Sequence, residues 1–171
     1  SGAVDVQKIE QHEARLCELC QCIRRDVEEF LQVGDSDVRV LIVRHKPGQG
    51  EHDGTLEEIA RDRPAGAGGF FGGKKCRPVL STFIYEAIRR RQTIIFQDLR
   101  SGAVRSCYGK LSGDYQSVAC FPVTRPKADV PHALISLRLK PPYLLWPRGI
   151  AKLERRLAVY VELVNLFDPG R

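Results

Sequence analysis

Apolar residues form a regular stripe over the first 33 positions. Ile9, Leu16, Ile23 and Phe30 recur every seven residues, and Leu19, Cys20 and Val27 fill the places between them. Glu and Arg occupy the other faces. This pattern predicts an amphipathic helix over 5–33, stopped by Gly34 and Asp35. So regular a stripe suits a helix pair or coiled coil as well as a globular core.

"DVRVLIVRHK" (37–46) is rich in Val, Leu and Ile, ends at Pro47-Gly48, and reads as a central strand. The chain then changes character: residues 47–78 hold eight glycines and three prolines. Within them "TLEEIARD" has the form of a capping box, Thr55 and Glu58 each reaching the other's backbone amide, which predicts a short helix. The remainder reads as a long irregular connection, expected to be functional or mobile. A helix follows from about Ser81, then a strand over 92–99 ("QTIIFQDL") and a polar loop. Two strands, "YQSVACFPV" and "ALISLRL", are joined by the short "RPKADVP" and are therefore expected to be antiparallel. A last helix opens near Trp146, with Ile150, Leu153, Leu157, Tyr160, Val161, Val164 and Phe167 on its apolar face. The expected fold is one sheet covered by helices, an α/β arrangement of α+β layers. It divides into an N-terminal helix (1–34) and a domain over 35–171.

Side chains alternate along a strand. Ser117, Ala119 and Phe121 point to one side, and Val118, Cys120 and Pro122 to the other. In the next strand Ala133, Ile135, Leu137 and Leu139 form an apolar face, opposite Ser136 and Arg138. The apolar face is expected to meet the terminal helices, so Ser136 and Arg138 should floor a pocket. An arginine inside a sheet is costly unless it is paired or meets an anion. Arg138 is therefore the candidate anion reader, with Ser117, Tyr115 and Tyr108 around it. The alternative is an Arg138 solvated on an open face.

Composition narrows these readings. A chain of 171 residues with a net charge of +6 suits one domain with a basic, solvated surface. The densest basic run, "RRR" at 89–91, falls where a helix should end and cations are favoured. Nucleic-acid binding would need basic residues gathered on one face with aromatic partners, and is not expected. No apolar run reaches the length of a membrane span. The six cysteines are spaced poorly for a disulfide scaffold and read as reduced thiols of a cytoplasmic protein. The first residue is Ser rather than Met, which suggests a piece of a longer protein. "GAGGFFGGKKC" lacks the Gly-Lys-Ser/Thr ending of a phosphate loop and is expected to form a flap, whose Phe70 and Phe71 either drop onto a ligand or partner or plug the sheet edge. The four histidines have no metal-ligand spacing, and neither a metal nor a cofactor is expected. Asp98 and Asp114 stand at candidate pocket rims, with Asp98 better read as a turn residue.

From residue 81 onward the order of elements resembles a GAF domain, a small-molecule sensor module related to PAS domains. The resemblance rests on "AIRRRQTIIFQDL", a helix and a strand ending in an acidic residue. It continues through "QSVACFPV", "ALISLRL" and the aromatic-led "YLLWPRGIAKLERRLAVYVELV". It implies a central antiparallel sheet with the terminal helices on one face and a loop-roofed ligand pocket on the other. In many members those helices also form a bundle between two subunits, which implies a homodimer through 9–31 and 150–167. The Asn-Lys-Phe-Asp-Glu set of cyclic-nucleotide-binding members and a bilin-attaching Cys-His pair are not recognisable, and the second strand of the family's first hairpin is not obvious. The function implied is a non-catalytic sensory or regulatory domain with an unknown small-molecule ligand, anionic where Arg138 is its reader. One alternative is a ligand-free dimerising or partner-binding module. Another is a thiol enzyme like the free methionine-sulfoxide reductases, with Cys76 and Cys107 as the reacting pair and Arg105 and Lys110 near the latter, but without an acidic cluster for the substrate ammonium.

Overall fold

The computed structural model describes residues 2–48, 54–63, 76–78, 84–104, 114–142 and 144–168. Their elements run α1 (Gly2–Leu31), β1 (Val38–Pro47), β2 (Gly54–Arg61), β3 (Cys76–Pro78), α2 (Ile84–Arg90), β4 (Ile94–Phe96), β5 (Ser117–Val123), β6 (Ala133–Leu139) and α3 (Pro147–Phe167). The strands form one antiparallel sheet in the order β3-β2-β1-β6-β5-β4. The expected α+β layers are present.

The helix stripe is buried as the sequence implies. Leu16, Leu19, Cys20, Ile23 and Val27 of α1 share one core with Leu153, Leu157 and Val164 of α3. The sheet contributes Val40, Ile42, Ala119, Phe121, Ile135 and Leu137 to the same core. Burying a Leu or Ile side chain stabilises the fold by roughly 1.5–3 kcal/mol, so this layer holds both helices to the sheet. α1 thus shares its core with residues 35–171. It ends at Gln32, not at Gly34: Gln32 takes the left-handed φ of 54°. The Val33 and Gln32 amides turn back to the carbonyls of Glu28 and Glu29, a Schellman closure.

α1 and α3 run antiparallel. Arg15 lies over the ring of Phe167 (5.9 Å), and Arg156 lies over the ring of Phe30 (5.7 Å). Asp26 accepts from Arg156 and from the Tyr160 hydroxyl (3.1 Å for the latter). The stripe that suggested a dimer is therefore used within one chain. Among the described residues, Val159 (57% exposed) and Leu166 (70%) are the large apolar side chains that α3 leaves to solvent.

One expectation is overturned. "TLEEIARD" is not a capped helix but β2, the partner of β1 and the second strand of the first hairpin. Its carboxylates do not cap amides. Glu57 pairs with Arg44 and Lys46 of β1, and Glu58 with Arg61. A register shift between Ile42 and Val43 leaves Ile59 opposite no residue, so the period-2 alternation is broken there. β2 also takes part of the 47–78 connection into the sheet. Within that connection 49–53 and 64–75, with Phe70 and Phe71, lie outside the described residues.

Candidate functional site

The sheet face away from α1 and α3 is the candidate site. Cross-strand pairing sets its rows. Arg39 of β1 is directly opposite Arg138 of β6, Arg138 is opposite Val118 of β5, and Val118 is opposite Phe96 of β4. The next row is Arg61, Leu41, Ser136, Cys120 and Ile94. Above Leu41 and Ser136 stand Val43 and Leu134. Leu41, Val43, Val118, Cys120 and Leu134 form a second core with Ile84, Ala87 and Ile88 of α2. α2 packs over β5 and β4, so the face is apolar toward that edge and basic toward β1 and β6 at the Arg39–Arg138 end.

α2 ends as its sequence implies. Glu86 pairs with Arg89 (2.8 Å) and Arg90 (3.0 Å), and Arg91 takes the left-handed φ of 54°. The three arginines terminate this helix, and the first two pair within it.

The candidate residues separate. Arg138 is half-buried on the outer face, and Ser136, on the same face, is fully buried with its Oγ 3.9 Å from Cys120 Sγ. Ser117 does not join them. It is paired with Leu139, faces the terminal helices, and donates to the Pro141 carbonyl at 2.8 Å. A residue two places from Ala119 must share that residue's face, which is the helix face. Tyr115 is half-buried just ahead of β5, and Asp114 beside it is exposed. Burial pushes the Tyr115 phenol above its usual range, with Arg39, Arg63 and Arg138 acting against that rise and Asp62 with it. Tyr115 therefore lies within electrostatic reach of both arginines of the row. Asp98 accepts from the Arg100 amide at 2.9 Å, the turn role expected of it. Tyr108 and Cys107 lie outside the described residues, and Cys76 is described only as backbone of β3. Among the described residues, no cluster of three or more His, Cys, Asp or Glu is placed to hold a metal.

Arg39 is the residue that sequence reasoning missed. Read alone it is one polar position in a strand. It gains meaning only from its register against Arg138, 99 positions later, which no local pattern encodes.

The described thiols are of contrasting kinds. Burial pushes Cys120 up to about 12 and raises Cys20 well above its usual range. Cys22 is exposed.

The other face carries an ionic cluster at the end of α3. Arg44 of β1 holds Asp168, the C-cap of α3, at 2.7 and 3.3 Å, and also reaches Glu57 (3.4 Å). β1 therefore presents Arg39 to the outer face and Arg44, five residues on, to the helical layer. At the other end of the helical layer Asp62 is buried, accepting from the Val40 amide (3.1 Å) and from Arg24 (3.3 Å).

No family model and no curated protein sequence matches the chain. Solved structures do. A type II free methionine-R-sulfoxide reductase from Thermoplasma acidophilum superposes with a TM-score of 0.63 at 14% identity, over 94% of this chain and 96% of that one. A GAF domain/HD domain protein from Geobacter sulfurreducens gives a TM-score of 0.60 at 14% identity, over 95% and 97%. The GAF domain of an Acinetobacter phosphoenolpyruvate-protein phosphotransferase gives 0.51 at 12%, over 95% of both chains. The chain has the GAF fold, an antiparallel sheet between a terminal helical layer and an outer face. Among the described residues, no helix is long and apolar enough to cross a membrane.

Proposed function

We propose that this chain is a non-catalytic sensory or regulatory domain of the GAF type, which takes a small molecule on the outer face of its sheet and passes the change to its terminal helices. The observation that carries this reading is β1. One rigid strand holds Arg39 on the outer face and, through Arg44, grips the C-cap of α3 on the other. A ligand that prefers one setting of β1 would bias the C-terminal end of α3 by its differential affinity for the two settings. Homodimerisation through α1 and α3 belongs to the same proposal, using Val159 and Leu166, large apolar side chains that α3 leaves exposed after the chain has packed its own stripe.

The test is hydrogen exchange on the full chain, with and without a metabolite that raises its melting temperature. Slower exchange at the last turn of α3, together with slower exchange in β1, supports the reading. Protection confined to the outer-face segments overturns the coupling. A thiol-reductase reading is favoured by the likeness to the Thermoplasma enzyme. Turnover of free methionine-R-sulfoxide that is lost in Cys76→Ser or Cys107→Ser would replace the proposal with it.

A further inference from the structure

α3 buries Leu153, Leu157 and Val164 against the sheet and leaves its opposite side to solvent. Arg148, Lys152, Arg155, Val159, Glu162 and Leu166 follow one another there in steps of four and three residues, and all six are exposed. Side chains at that spacing stand in a row along one side of a helix. The row is polarised. Its first half is three cations, and its second half is two large apolar side chains and a carboxylate. Arg155 has Ala151, Lys152, Ala158 and Val159 at three and four places, and Glu162 has Ala158, Val159, Asn165 and Leu166. Neither therefore finds an opposite charge along its own helix. Arg156, one place off the row, is by contrast taken up by Asp26 of α1.

We propose that this row is covered by the same row of a second copy, run antiparallel, with Val159 at the two-fold axis and Arg155 of each protomer beside the partner's Glu162. This deepens the homodimeric part of the reading above and rests on it. Charge decides the direction. A parallel pairing in register stacks Arg148, Lys152 and Arg155 on their own copies, and like charges so juxtaposed oppose association. Turning one helix end for end about Val159 removes those contacts. Arg155 lies four residues before Val159 and Glu162 three after it, so the two meet across the axis, once on each side. Lys152 lies seven residues before Val159 and Leu166 seven after it, so the lysine stem covers the leucine while its ammonium stays in water. Ala151 and Ala158, small and exposed beside the row, let the two backbones approach. The C-terminal ends of the two α3 helices then leave from opposite ends of the pair. The Arg44–Asp168 clasp of one protomer stands beside the basic half of its partner's α3, so a change at the clasp is passed to the neighbouring protomer.

Sedimentation equilibrium of the full chain at low salt tests this, with Arg155→Glu, Glu162→Arg and the double variant that carries both. The parent is expected to dimerise. Each single reversal turns two attractions into two repulsions and should weaken the dimer by about fivefold or more. The double variant exchanges the two charges and should return the affinity to within about twofold of the parent. Added salt should narrow the differences. In a parallel pair each single reversal only replaces one like-charge contact by another, so it leaves the affinity unchanged. The pairing is overturned if the single reversals associate as the parent does, or if the double variant stays as weak as either of them. The two levels separate cleanly. A dimer indifferent to the reversals keeps the homodimer and removes this antiparallel seam. A parent that stays monomeric at its solubility limit removes the homodimer together with the seam, and leaves the ligand-sensing part to the hydrogen-exchange test.

Discussion

The guanidinium of Arg44 grips the carboxylate of Asp168 through two hydrogen bonds, 2.7 and 3.3 Å, and so ties the middle of the sheet to the end of α3. The two partners are unequal. The Asp168 side chain is 3% exposed, while Arg44 is 23% exposed and has Glu57 as a second partner. Arg44→Leu leaves a buried carboxylate without its cation and is expected to cost about 3 kcal/mol. Asp168→Asn leaves Arg44 with Glu57 and should cost less, about 1.5 kcal/mol. Urea unfolding of the two variants checks the order, and a larger loss for Asp168→Asn would show that Glu57 does not compensate.

Stability should fall on the acid side. Burial holds both His45 and His132 below their ordinary value of 6.5, and Arg125 adds to the effect at His132. The unfolded chain then takes up protons that the folded one resists, so stability is full above pH 6.5 and is lost as the pH drops through the folded values. Urea midpoints between pH 8 and pH 5 should decline, and His132→Gln should flatten the decline. A midpoint that holds steady or rises on acidification contradicts this assignment.

Tyr160 offers a spectroscopic reading of the α1–α3 contact. Burial, Asp26 and the hydrogen bond to Asp26 push its phenol up to about 12. Alkaline titration by ultraviolet absorbance should show Tyr160 among the late tyrosines, with Tyr115 also raised, and Asp26→Asn should bring the Tyr160 part forward. Because the folded-state value is raised, this contact stabilises the fold below pH 10 and is lost as the pH climbs through about 12. A titration unchanged in Asp26→Asn would separate the shift from the helix pair.

Thiol labelling should be selective. Cys22 is exposed, while Cys20 and Cys120 are fully buried, with thiols raised by desolvation. A short pulse of iodoacetamide at pH 8, read by peptide mass spectrometry, should modify Cys22 and spare the other two until the chain unfolds. Early labelling of Cys120 would mean that α2 opens from the sheet.

The elements legible in the sequence were those whose burial matches a simple period. The stripe of α1 met the partners that the pattern implied because it buries one face against one layer, and the alternation of β5 and β6 sorted their side chains correctly between the terminal helices on one side and the α2 side on the other. β2 was misread for a local reason. Thr55 and Glu58 have the spacing of a capping box, although the chain is extended there as the partner of β1. Glu58 resembled a cap because its true partner, Arg61, is met in an extended strand, just as Glu57 meets Arg44 and Lys46 across the β1–β2 pairing. The candidate site divided along the same line. Alternation alone placed Ser136 and Arg138 on the outer face. The same alternation puts Ser117 opposite to them, and grouping it with the pocket followed closeness in sequence instead of phase. Arg39 needed the register of β1 against β6, which only the folded chain supplies.

The edges of the sheet have a consequence for how the molecule behaves at high concentration. The ten-residue β1 lies inside the sheet, hydrogen-bonded on both sides, whereas the outer position beside β5 is taken by β4, a strand of three residues. A strand that short offers little unsatisfied backbone for another chain to add to. Fibril-like growth from that edge of the native sheet is thereby discouraged, and the long apolar β1, the segment most able to template it, gains a free edge only after β2 or β6 has come away.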